Sequence, residues 1–167
     1  MNHAQNFLAD FEAEAALSRT LLQAVPEGRM DWKPHEKSMS LGELTGHLAE
    51  MPVWVGSMME PELDFEAMMG DYKPFVPTSR EEMAKAFEQN LPLVAEHVAD
   101  KDDAFLSETW TMRMGDKVLM QQPRRDVLRS IILHHAAHHR GQLTVYLRLM
   151  GESVPPTYGG TADVPMF

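Results

Sequence analysis

The chain has 167 residues, 44% of them apolar and 24% charged, which suits a globular domain with a buried core. Its net charge of −10 argues against nucleic acid as a partner, because phosphate binding needs a basic face. The absence of cysteine excludes disulfides, a protein thiolate nucleophile and a cysteine-based metal site.

The N-terminal stretch "MNHAQNFLADFEAEAAL" is polar and acidic, unlike a signal peptide, and no apolar run approaches a membrane span. A cytoplasmic chain without membrane contact is the expectation. A first helix is predicted over residues 2–25, with Phe7, Leu8, Phe11, Ala15, Leu22 and Val25 close to one face. It stops at "PEGR", and the irregular "MDWKPHEKSM" leads to Ser40. "SLGE" then reads as a capping box, in which Ser40 caps a helix start and Glu43 reaches back to it. The second helix carries Leu44, Leu48, Met51, Val55 and Met58 on one stripe, with Pro52 placed to kink it. Residues 61–77 form a long connection. "TSREE" opens a third helix with Met83, Phe87, Leu91, Val94 and Val98 inward and Pro92 as a second kink candidate.

Between residues 100 and 122 the pattern alternates around Gly115-Asp116, as in a small β-hairpin. Pro123 then opens the last helix, and Gly151 closes it after Met150. The Arg124, Arg125 and Arg129 cluster at its start reads as a solvated helix end in preference to an anion-binding patch. An irregular tail, "ESVPPTYGGTADVPMF", follows. Four amphipathic helices, one long crossover connection and a hairpin before the last helix predict one all-α domain over residues 1–167, a four-helix bundle.

The last helix contains "LHHAAHHRGQL", with two histidine pairs at i, i+4 spacing: His134/His138 and His135/His139. With Leu128 set at zero on a wheel of 100° per residue, His139 lands at about 20° and His135 at about −20°. The stripe there also holds Ile132, Tyr146, Leu149 and Met150. His138 and His134 fall at about −80° and −120°, at its edge and beyond. The inner pair is therefore His135/His139. Its spacing suits a metal ion, but hydrogen-bonded core histidines fit it equally. His47 lies between Leu44 and Met51 in angle and also points inward, completing a three-imidazole set with open positions. His35 competes for that role from a loop, while His3 and His97 are expected to face solvent.

"WKPHEKSMSLGELTGHLAEMP", followed by "LHHAAHHRGQLTVYLRLMGESVPPTYG", resembles the DinB (damage-inducible) family of metal-dependent enzymes over nearly the whole chain. The resemblance implies a four-helix bundle, commonly a homodimer, with a divalent metal on His47, His135 and His139. Its wider superfamily includes bacillithiol transferases and mycothiol-dependent maleylpyruvate isomerase. Three imidazoles suit zinc or nickel and also accept iron, manganese or copper. The resulting expectation is a metal-dependent transferase using a small-molecule thiol, or a hydrolase. The alternative is a metal-binding stress-response protein, or a bundle whose metal is structural.

Glu50, one turn after His47, is a candidate general base or a hydrogen-bond acceptor for a ligand imidazole. A solvated carboxylate is the plain alternative. Gln142, at about −40° on the wheel, is a candidate for positioning water. Arg140 is read as pointing away from the core, in a structural or dimer contact. The fourteen methionines are read mainly as core filler, and Trp32, Trp54 and Trp110 as core or pocket wall.

Overall fold

The computed structural model describes residues 1–165; the tail's Met166 and Phe167 lie outside the described residues. Helix α1 (His3–Gln23) opens on a capping box. The Asn2 side chain accepts from Gln5 N at 2.8 Å, and the Gln5 side chain accepts from Asn2 N. The Ser40–Glu43 box forms as read at the start of α2 (Leu41–Glu50). The preceding loop satisfies two further donors of that first turn, through the carbonyls of Trp32 and Met30. Pro52 converts the next turn into a 3₁₀ turn (Met51–Trp54), after which α3 (Val55–Met59) continues.

The long connection over residues 61–77 contains strand β1 (Glu62–Asp64) and helix α4 (Phe65–Asp71), the latter capped by Asp64. Helix α5 (Arg80–Val98) runs unbroken through Pro92, on an exposed face. After the short α6 (Asp103–Ser107), strands β2 (Thr109–Met114) and β3 (Lys117–Pro123) form the hairpin. Gly115 takes φ of +55° at its turn, a conformation that other residues resist. β1 adds to β2 in parallel, giving the order β1-β2-β3. The expectation of an all-α chain is thus corrected: the fold is mostly helical with a three-stranded sheet. β1 is only three residues long and pairs with a strand nearly fifty residues later, so no local pattern announces it.

The last helical run has three parts: α7 (Arg124–Val127), a π-helical segment (Leu128–His134) and α8 (His135–Met150). Gly151 ends it with φ of +81°. A π turn closes i→i+5 bonds, so each residue advances by less than the α-helical angle. Over seven residues this lag turns α8 well away from the uniform wheel. Its buried face is centred on Arg140, Leu143 and Leu147, while Leu149, expected inside, is 61% exposed. Arg140, expected to point away, is 2% exposed. It is held by Glu14, by Ser18 Oγ at 2.8 Å and by the Tyr158 hydroxyl. Arg124 is likewise buried instead of solvated. It donates to the Met58 and Glu60 carbonyls and pairs with Glu108 at 2.9 Å, tying α3 to the start of the last helix.

Helices α1 and α2 each pack against both α5 and α8. Leu21, Leu44, Met83, Leu143 and Leu147 belong to one lobe of the core, and Val55, Val94, Trp110, Leu128 and Ile132 to the other. Residues 72–77 run back along α2. There, a Cβ on Gly46 would lie 1.9 Å from the Phe75 carbonyl oxygen. Gly46→Ala is therefore expected to force this strap off α2 and to lower stability by about 1–3 kcal/mol despite alanine's better helix propensity. Thermal unfolding reads the effect, and an unchanged Tm would refute the close contact.

Candidate metal centre

The seam between α2 and α8 brings together His47, His135 and His139. One nitrogen from each ring lies within 4.8 Å of the others, the sole such cluster of three or more histidines, cysteines or acids among the described residues. The ring of His47 is 4.6 Å from that of His139 and 5.3 Å from that of His135, centroid to centroid. Nε2 of His135 and Nε2 of His139 face each other at 2.7 Å. His139 Nδ1 lies 2.7 Å from Gln142 Oε1, which can only accept, so the proton of the neutral ring sits on Nδ1. The Ile131 backbone lies one turn before His135 and favours its charged form slightly. With the His139 proton on Nδ1, its inward Nε2 offers a lone pair toward His135 Nε2, and a metal ion can take the place of this ring–ring contact.

The surroundings keep these rings neutral. Burial pushes the His139 pKa down to about 4; the Gln142 bond opposes this, and His135, His47 and His138 add to it. Burial also lowers His135, with help from His47 and His138. Neutral imidazole is the form that binds metal.

Glu50 is buried behind His47, its Oε1 3.7 Å from His47 Nδ1. The same oxygen accepts from the Tyr72 hydroxyl, and Oε2 accepts from Phe75 N at 3.1 Å. Burial alone would raise the Glu50 pKa, but His47, Tyr72 and the Phe75 amide together pull it below the ordinary carboxylate value. The carboxylate is thus held ionised and fully engaged. Tyr72 is pushed the other way, by burial and by Glu50, and keeps its proton.

Gln142 is placed against the outer nitrogen of His139, on the side away from the other two histidines' cluster, with its residue exposed. His134 and His138 are exposed, and so is His35, whose Nδ1 accepts from Lys37 N. His3 and His97 are half-buried instead of fully solvated; His97 lies over Gly56. Sequence reasoning missed Tyr72, which sits in the long connection over residues 61–77. Trp54, read only as a wall residue, packs edge-on against His47 at 4.9 Å.

His47 and His135 line a cavity of about 1050 Å³ whose other walls come from the 31–39 loop, the strap, the hairpin and Ile131. The cluster therefore has an open side, which a structural site closed by a fourth protein ligand lacks.

Two outcomes are expected. His139 takes up a proton near its ordinary 6.5 when unfolded but only near about 4 when folded. Acidification between these values favours the unfolded state, so metal-free protein loses stability as pH falls from about 6.5 to about 4. In His139→Gln this component is absent, and the two Tm-versus-pH curves diverge in that window; parallel curves would contradict a buried neutral ring. Glu50→Gln keeps the shape but frees His47 and weakens metal affinity by about 10–100-fold. Competition with a chelating indicator measures this.

The DinB family profile matches residues 1–164. The uncharacterized protein YrdA of Bacillus subtilis (strain 168) is 28% identical over 160 residues, covering 92% of this chain and 87% of YrdA. A DinB-like protein from Bacillus cereus ATCC 10987 has a similar crystal structure, with a TM-score of 0.69 and 22% identity over 92% of this chain and 97% of that one. The mycothiol-dependent maleylpyruvate isomerase shares the fold more distantly. Its TM-score is 0.52 at 11% identity, over 84% of this chain and 59% of the isomerase. With the family profile spanning all but the last three residues, the chain belongs to the DinB family.

Proposed function

We propose that the protein is a metal-dependent transferase that moves a small-molecule thiol onto an electrophile. The carrying observation is the converging imidazole set with its open side on a large cavity. A divalent ion bound there, with zinc or nickel as first candidates, would lower the pKa of a thiol or water that joins it. The chain's own residues prepare the place. Burial holds His135 and His139 neutral, Gln142 fixes which nitrogen of His139 faces inward, and Glu50 stands beside His47.

With no cysteine in the chain, the thiol has to arrive as a cosubstrate. In the transfer its S–H bond breaks and the proton passes to water in the open cavity. An S–C bond then forms on the electrophile as the bond to the leaving group breaks, the electron pair going with that group. The likeness of fold to a mycothiol-dependent enzyme supports a thiol. So does Glu50, because the carboxylate beside His47 already serves three partners and is poorly placed to activate water as a general base. A thiol ionises near pH 8.5 and needs less help than water.

Elemental analysis after reconstitution tests the site. One ion per chain is expected in the wild type, and a loss of at least about tenfold in affinity in His47→Gln, His135→Gln and His139→Gln. Full retention in any of the three would remove that residue from the site. Chelation separates the catalytic reading from a purely structural metal. Thiol transfer should stop while far-UV circular dichroism and Tm hold nearly constant, whereas cooperative unfolding on chelation would make the metal a fold-stabilising one.

A further inference from the structure

The cavity changes character along its length. On α2 and its continuation, the residues that face it come in the order Glu43, His47, Glu50, Trp54 and Met58, a row at three- and four-residue spacing. At the α-helical rise this row spans roughly 22 Å. Charge is concentrated at the Glu43 end, where Lys33, Glu36 and Lys37 join it from the preceding loop; Lys33 Nζ is 3.2 Å from Glu43. Trp54 marks the boundary, its ring beside both His47 and His135. Beyond it the wall is thioether and hydrocarbon.

The two hairpin methionines of that end face the cavity and are not fully buried. Met112 and Met120 are directly opposite each other in the β2–β3 ladder, half-buried, and both line the cavity, as does Met58. Trp110 closes the floor. Its indole N–H is already given to the Ser57 carbonyl at 3.2 Å, so only apolar ring remains to meet a ligand. Apolar surface around a space of about 1050 Å³ is poorly solvated when empty, and that volume is at the upper end of small-molecule sites. Methionine walls reshape easily and favour aromatic partners through sulfur–ring contact.

We propose that the histidine cluster divides the cavity into two half-sites, and that the methionine end binds the apolar, aromatic-bearing body of the electrophile. The charged end is left to the hydrophilic thiol. This rests on the transferase reading for its roles, but binding at the methionine end needs no metal, so the two fail separately.

The test uses N-phenyl-1-naphthylamine, a neutral aromatic dye, titrated by fluorescence into reconstituted full-length protein. One dye per chain is expected. The double variant Met112→Gln/Met120→Gln should raise its Kd by about tenfold or more. Met112→Leu/Met120→Leu, which keeps the wall apolar, should restore binding and so controls for folding. Lys33→Ala/Lys37→Ala should change Kd by less than about twofold, because those charges belong to the other end. His139→Gln should bind dye as the wild type does while losing metal; dye binding with no metal retention by the wild type would defeat the transferase reading alone. No saturable dye binding, or an unaltered Kd in the glutamine double variant, would overturn the apolar half-site. In turnover the dye should compete with the electrophile, and competition with the thiol would overturn the assignment of the two ends.

Discussion

Nε2 of His135 and Nε2 of His139 face one another across 2.7 Å, and much of the surrounding structure bears on holding them there. Left in water, either ring would rotate or take a proton. His139 is prevented from rotating by the bond from its far nitrogen to Gln142. Protonation is opposed by burial. That burial in turn depends on Arg140, the next residue, whose guanidinium anchors α8 to α1 through Glu14 and Ser18. The ion pair is buried with its hydrogen bonds mostly made, so it fixes position more than it adds stability.

Glu50 carries the constraint across to the other helix. A buried carboxylate is costly unless its lone pairs are used, and here a tyrosine hydroxyl and a backbone amide donate to it, with His47 Nδ1 3.7 Å away as a third partner. Two of those partners belong to the strap over α2, which closes on the helix because Gly46 has no side chain in the way. The orientation of His47 and the placement of a cavity wall are therefore one arrangement. Disturbing the strap disturbs the ligand imidazole.

Much of this was legible in the sequence because the signals are local. The Ser40 box, the Gly115 turn, the Gly151 cap and the i, i+4 pairing of His135 with His139 each need only a few neighbouring residues. His47 was legible because Pro52 alters its helix only after the histidine has been placed. What escaped is nonlocal or phase-dependent. β1 exists through its pairing with Thr111–Arg113, and Tyr72 acquires its role only where the strap meets Glu50. The core reading holds for Met30, Met51, Met58 and Met83, but Met112 and Met120 line the cavity, because a cavity wall and a core wall have the same periodicity. Arg140 and Leu149 exchanged faces because the wheel assumed one angular step throughout.

The histidine pair survived that last error for a reason that bears on function. A uniform helix would put His135 and His139 in the middle of the buried stripe, where a metal would have no neighbour but protein. The π segment delays the turn, so Arg140, Leu143 and Leu147 take the centre and the histidines move to its edge. There His139 is still shielded enough to stay neutral, while His135 and His47 border open space. A π segment is less favourable than continued α-helix and recurs at functional sites. In this chain its consequence is specific: it turns His135 and His139 from the centre of the buried face to its edge, beside the open space that His47 borders from α2.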